Sequence, residues 1–74
     1  MAQAELNIAV YYLRREAYVA ASNRAEHIVD KYQATPQSGD ALAVMAESYK
    51  RLGQDKLADD ARRVLELNYP DHPY

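Results

Sequence analysis

Apolar residues return every three or four positions in four blocks along the chain, with polar residues between them. Leu6, Ile8, Ala9, Tyr12 and Leu13 form the first stripe, which predicts a helix over residues 3–14. Arg15-Glu16 breaks it. Ala17, Ala20, Ala21, Ala25, Ile28 and Val29 carry the second stripe, over residues 17–32. In the following QATPQSGD stretch, Thr35 or Ser38 suits an N-cap and Pro36 a first helical position. A third helix is expected over 40–52, burying Leu42, Met45, Ala46, Tyr49 and Leu52, with Gly53 ending it in the left-handed conformation. Asp55 is read as the cap of a fourth helix, 56–68, whose inner residues are Leu57, Ala58, Ala61, Val64 and Leu65. The final YPDHPY cannot continue a helix. No segment alternates with the period of a strand, so the expected class is all-α, with short connections that make two antiparallel hairpins.

The two halves are copies. Shifted by 37 residues, Ala9 falls on Ala46, Tyr12 on Tyr49, Arg14 on Arg51, Ala21 on Ala58 and Tyr32 on Tyr69, while Ile8 meets Met45 and Ile28 meets Leu65. A fixed period of this size marks a helical solenoid. The tetratricopeptide pattern of bulky, bulky-small, tyrosine, alanine and proline is present as Leu42, Met45-Ala46, Tyr49, Ala58 and Pro70, and as Ile8-Ala9, Tyr12 and Ala21. Small Ala9 and Ala46 let neighbouring helices approach, and Tyr12 and Tyr49 are expected to fill the gap between paired helices. The repeats are placed at 3–33 and 40–70, with a connecting loop over 34–39 and a tail over 71–74. The loop is taken to hold the residues by which the period exceeds the usual length of about 34. Two departures stand out. Glu16 occupies the position of Gly53, so the first turn is expected to be of another kind, and Arg62 stands where the pattern wants an aromatic. A free-standing array needs at least about three repeats, so these two are read as an α-solenoid fragment of a longer array.

Composition narrows the function. Seven tyrosines accompany an alanine-rich, helix-forming background, and there is no cysteine to supply a disulfide, a thiolate or a zinc ligand. A formal charge of −2 lacks the basic excess of a general nucleic-acid binder. No apolar run approaches the roughly 18 residues of a membrane span. At 74 residues the core is modest, with net stability of about 3–5 kcal/mol.

Few residues offer chemistry. His27 and His72 lie on different elements, too few and too scattered for a metal site, and Asp59-Asp60 and Glu26/Asp30 have no nucleophile or phosphate loop beside them. Asp59 favours the start of the fourth helix, and Arg14-Arg15 and Lys50-Arg51 suit helix C-termini. No catalytic residue, metal or cofactor is expected. Tyr11 and Tyr18 are large residues beside core positions already taken by others, which leaves them to pack on a preceding repeat or to bind a partner. In a generic tetratricopeptide adaptor, Leu6, Val10, Glu47 and Lys50 would instead floor a groove for an extended peptide.

The run YYLRREAYVAASNRAEHIVDKYQATPQSGDALAVMAESYKRLG is more specific than a generic repeat. Tyr11-Tyr12, Arg15, Ala17-Tyr18, Ala20-Ala21, Asn23-Arg24, Tyr32, Thr35, Asp40-Ala41-Leu42 and Tyr49 through Gly53, extended by LELNYPDH, resemble the C-terminal repeats of the BamD family. That family comprises outer membrane protein assembly factors, periplasmic lipoproteins of Gram-negative bacteria. The resemblance implies a non-catalytic scaffold at the periplasmic face of the outer membrane, in the machine that folds β-barrels. It implies docking onto the membrane-proximal POTRA domain of the barrel subunit BamA, with BamC and BamE as further contacts. Arg24 matches the family arginine that pairs with a POTRA carboxylate, a role suited to a planar guanidinium. Asn23, Tyr18 and Tyr11 are the accompanying candidates. The family's lipid-bearing cysteine has no counterpart here, and Met1-Ala2 reads as an expression start.

Overall fold

Four helices and no strand make up the computed structural model, which describes all of Met1–Tyr74. α1 (Ala2–Arg14) and α2 (Tyr18–Lys31) form the first hairpin, and α3 (Pro36–Arg51) and α4 (Asp55–Asn68) the second. α3 is central. It contacts each of the other helices, whereas α4 contacts only α3.

The two hairpin turns are built alike, contrary to the expectation for Glu16. Glu16 takes φ 62° and Gly53 φ 78°. In the first turn Ala17 N–H donates to Tyr12 O at 2.9 Å and Glu16 N–H to Leu13 O at 3.0 Å; in the second Gln54 N–H donates to Tyr49 O at 2.9 Å and Gly53 N–H to Lys50 O at 3.1 Å. Each pair closes a Schellman-type end that satisfies the last carbonyls of the helix. The backbone pattern thus overrides the side chain, and Glu16 accepts the left-handed conformation that glycine holds freely.

Between the hairpins the expected loop is largely helical. α3 begins at Pro36 rather than Asp40, because Thr35 is in extended conformation and its Oγ1 accepts from Ser38 N–H at 3.2 Å, with Pro36 pre-set for the first turn. The residues that lengthen the period therefore add a turn to the start of α3, and the connection shrinks to 32–35, with Ala34 at φ 62°. The added turn is packed: Ser38 and Gly39 are buried, and a Cβ on Gly39 would lie 3.1 Å from the Tyr69 ring. Asp55 is the first residue of α4 rather than its cap; Gln54 holds that place without a side-chain bond. Asp55 still stands in the first turn, where the helix dipole favours an acid.

The core joins Leu6 and Ala9 of α1, Ala21, Ala25 and Ile28 of α2, and Ala41 and Val44 of α3. The template alanines Ala9, Ala21, Ala46 and Ala58 are all buried, as the repeat requires. Four residues expected inside are instead exposed: Ile8, Leu52, Leu57 and Val64. Ile8 and Leu57 lie on helix sides that no neighbour covers, since α4 is covered only by α3 and α1 only by α2 and α3; Leu52 is the cap residue after α3, and Val64 lines an open cavity with Val29 and Leu42. Conversely Val44 and Ser48, which the stripe omitted, are buried because α3 is covered from several sides. Tyr12 packs half-buried against the core. Tyr49 reaches beyond its own hairpin, and its phenol pKa is pushed up by burial first and then by Glu26 of α2.

Equivalent positions reveal what each hairpin covers. Ala41, Val44 and Ser48 of α3 are buried, whereas their counterparts Ala4, Asn7 and Tyr11 on α1 are exposed. Ser22 and Ala25 of α2 are buried, whereas their counterparts Asp59 and Arg62 on α4 are exposed. One face of α1 and one of α4 are therefore the two open ends of the stack.

Candidate partner-docking surface

Consecutive tyrosines near the end of α1 cannot share one face, so Tyr12 turns towards the core and Tyr11 stays 52% exposed. Their rings meet edge-on, with centroids 5.7 Å apart and planes at 70°. One turn on, Arg15 lays its guanidinium 4.9 Å from the Tyr11 ring centre. From the antiparallel α2, Arg24 places its own 6.0 Å from the Tyr12 ring. Two arginines thus flank an aromatic pair, an arrangement that orients each cation over a ring face. None of the ion pairs in the molecule involves Arg15 or Arg24. Both side chains are exposed. Chemically the cluster is an aromatic-backed pair of guanidinium donors with no ion-pair partner inside the chain.

Of the four residues named from sequence, Tyr11 and Arg24 come together here through Tyr12. Asn23 is exposed beside Arg24 and makes no side-chain bond within the chain. Tyr18 goes elsewhere. Half-buried at the first position of α2, it lies against Arg51, which Glu47 at 2.7 Å and then Tyr18 keep firmly protonated. Sequence reasoning placed Tyr12 in the core and favoured a helix-end role for Arg15 over a partner contact, and did not foresee that both join this cluster. The Tyr11-Arg15 separation of one helical turn was the available signal for the second.

The remaining charged groups are occupied locally. Glu5 Oε1 lies 3.3 Å from His27 Nε2, and Oε2 lies 3.9 Å from the N-terminal amine and 4.0 Å from Lys31 Nζ. The Tyr32 hydroxyl, standing outside strict hydrogen-bond geometry, is the largest of the causes that hold the Glu5 carboxyl below its usual range; burial opposes them. His72 pairs with Asp40 at 2.7 Å, His27 with Glu5, and no group of three or more metal-ligating side chains forms. Leu6, read as a floor residue of a peptide groove, is buried in the core, and Glu47 is engaged by Arg51 and by the Tyr74 hydroxyl at 3.3 Å.

The family model described as YfiO, outer membrane lipoprotein, matches residues 1–65. The chain belongs to this family. Its relatives carry the name outer membrane protein assembly factor BamD. The protein of that name from Xylella fastidiosa strain Temecula1 is 49% identical over 73 residues, covering 99% of this chain and 25% of the relative. That from Neisseria meningitidis serogroup A is 46% identical over 70 residues, covering 95% and 26%. The Rickettsia prowazekii protein is 39% identical over 71 residues, covering 96% and 28%. The chain thus spans about a quarter of the length of the BamD relatives it matches. No helix in it is long and apolar enough to cross a membrane.

Proposed function

We propose that this chain is a non-catalytic scaffold element of outer membrane protein assembly, two tetratricopeptide-like repeats of a BamD-type lipoprotein working at the periplasmic face of the outer membrane. The observation that carries the reading is the Tyr11–Tyr12 pair flanked by Arg15 and Arg24, exposed and free of internal carboxylates, on a chain of this family. Its chemistry suits a folded partner that presents carboxylates to Arg24, with Asn23 and Tyr11 beside it; the POTRA domain of BamA nearest the membrane is that partner, and BamC and BamE are further contacts. Tyr18, turned towards Arg51, serves the docking surface by fixing the start of α2. The exposed Ala4, Asn7 and Ile8 face of α1 receives a preceding hairpin of the longer array. A peptide-binding adaptor is the weaker reading, because the groove floor it needs includes buried Leu6 and the occupied Glu47.

Capture of a folded POTRA fragment by the immobilised chain tests the reading. Arg24→Glu is expected to weaken capture at least about tenfold, since it leaves a partner carboxylate facing a like charge. Its helicity is expected to stay unchanged and its stability to fall by no more than about 0.5–1 kcal/mol, because Arg24 is exposed, has no ion-pair partner and meets only the Tyr12 ring. Undiminished capture by the charge-reversed chain would remove Arg24 from the interface.

A further inference from the structure

Between Tyr69 and Tyr74 the chain bends back over the start of α3. His72 N–H donates to Tyr69 O at 3.0 Å and the Tyr69 ring packs on Gly39, which together set the His72 imidazole against α3 with only 16% of its side chain exposed. Both ring nitrogens are engaged. Nε2 lies 2.7 Å from Asp40 Oδ1, and Nδ1 accepts from Tyr74 N–H at 3.1 Å. A peptide N–H can only donate, so Nδ1 must offer a lone pair. The single ring proton of the neutral imidazole therefore sits on Nε2, aimed at the Asp40 carboxylate.

A second proton acts in opposite directions on the two sides of this ring. It enters at Nδ1, the one nitrogen without a hydrogen. Towards Asp40 it turns an ordinary hydrogen bond into a pair of opposite charges, which is shorter and stronger. Towards Tyr74 it sets two N–H groups against each other, and that bond is lost. Tyr74 is held at its other end by Glu47, whose carboxylate its hydroxyl reaches at 3.3 Å. Burial first, and then Glu47, push the Tyr74 phenol up, against Arg62. Thr35 and Asp71 share one surface recess with His72, and Arg62 and Glu66 of α4 share another. None of these four bonds either ring nitrogen, so Asp40 and Tyr74 alone feel the proton directly. The Tyr69–Gly39 contact is apolar and indifferent to it.

We propose that His72 is a proton-operated release within this segment: neutral, it clasps Tyr74 against α3; protonated, it grips Asp40 harder and lets Tyr74 go, while the bend at 69–72 stays in place. Every group it uses lies within residues 40–74 and is an ordinary side chain or peptide N–H. It goes beyond partner docking and does not depend on it, since none of these groups belongs to the tyrosine–arginine cluster.

Solution NMR of the chain between pH of about 8 and about 5.5 is the test, a range in which histidines change charge and carboxylates stay ionised. At the upper end the His72 ring is expected to carry its proton on Nε2, read from long-range proton–nitrogen correlations. On acidification the Tyr74 amide is expected to lose protection against exchange, relative to its intrinsic rate, by about fivefold, the weight of one hydrogen bond. Contacts between the Tyr69 ring and Gly39 are expected to persist. His72→Gln, which leaves His27 in place and cannot become charged, is expected to make Tyr74 protection independent of pH. A ring proton on Nδ1 at the upper end, or Tyr74 protection that is absent or constant throughout, would overturn the proposal. So would a bend that opens together with Tyr74, or a pH dependence that survives His72→Gln.

Discussion

Opposite effects of glycine at two equivalent turns offer a sharp check on the repeat. Glu16 and Gly53 stand 37 positions apart and share the left-handed conformation, at φ 62° and 78°. A side chain with Cβ is strained there by about 1–2 kcal/mol. Glycine avoids that strain but loses more freedom on folding, roughly 0.5–1 kcal/mol. Glu16→Gly is therefore expected to stabilise the chain by about 0.5–1 kcal/mol. Gly53→Ala is expected to destabilise it by a similar amount. No atom lies within 4 Å of a Cβ built on Gly53, so a clash contributes nothing and the loss is conformational. For a chain of this size each kcal/mol moves Tm by about 4–8 °C, so thermal melting followed by circular dichroism resolves both shifts. Glu16 also sets a negative charge at the C-terminal end of α1, where the dipole disfavours it. Glu16→Gln separates the two causes, because it removes the charge and keeps the Cβ. If Glu16→Gly lowers Tm, or if Glu16→Gln reproduces its whole gain, the two turns are not the same device and the argument from equivalent positions fails.

Ile28 has no accessible surface and joins all three core helices, so Ile28→Ala is expected to cost about 2–5 kcal/mol, measured by urea unfolding. Ser48 is also fully buried and its hydroxyl has no hydrogen-bond partner, so Ser48→Ala is expected to leave stability unchanged or raise it by up to about 1 kcal/mol; a clear loss would mean that the hydroxyl is bonded after all. The Glu5 carboxyl is held below its ordinary value by Tyr32 and by Lys31, the N-terminus and His27. Its contribution is thus fully present above the unfolded carboxylate pKa and disappears as pH falls through the folded one. Glu5→Gln is accordingly expected to melt below the unaltered chain at neutral pH, with the gap closing in acid.

Much of the architecture was legible without coordinates. Helical spacing located four helices, and the duplication identified Ala9, Ala21, Ala46 and Ala58 as contact points, because only small residues allow close helix approach and the pattern repeats them. Gly53 declared its turn, since glycine is the residue that turn favours. Thr35 and Pro36 carry the signals of a helix start, yet α3 begins before its apolar period does; buried Ser38 and Gly39 add no apolar side chain, and it is the Tyr69 ring that packs over Gly39. The sequence points to Tyr11 and Arg24 one by one; that they meet through Tyr12, with Arg15 over the Tyr11 ring, is decided by packing. An apolar stripe states which side of a helix avoids water, but it does not state which neighbour stands there. That is why Leu57 and Val64 face solvent, Val44 and Ser48 face other helices, and Tyr18 meets Arg51. Local spacing and the duplicated template determined the helices, their pairing and the small residues between them. The tertiary structure alone decided which faces were left open, because covering a face depends on the presence of a second helix and not on the residues of the first.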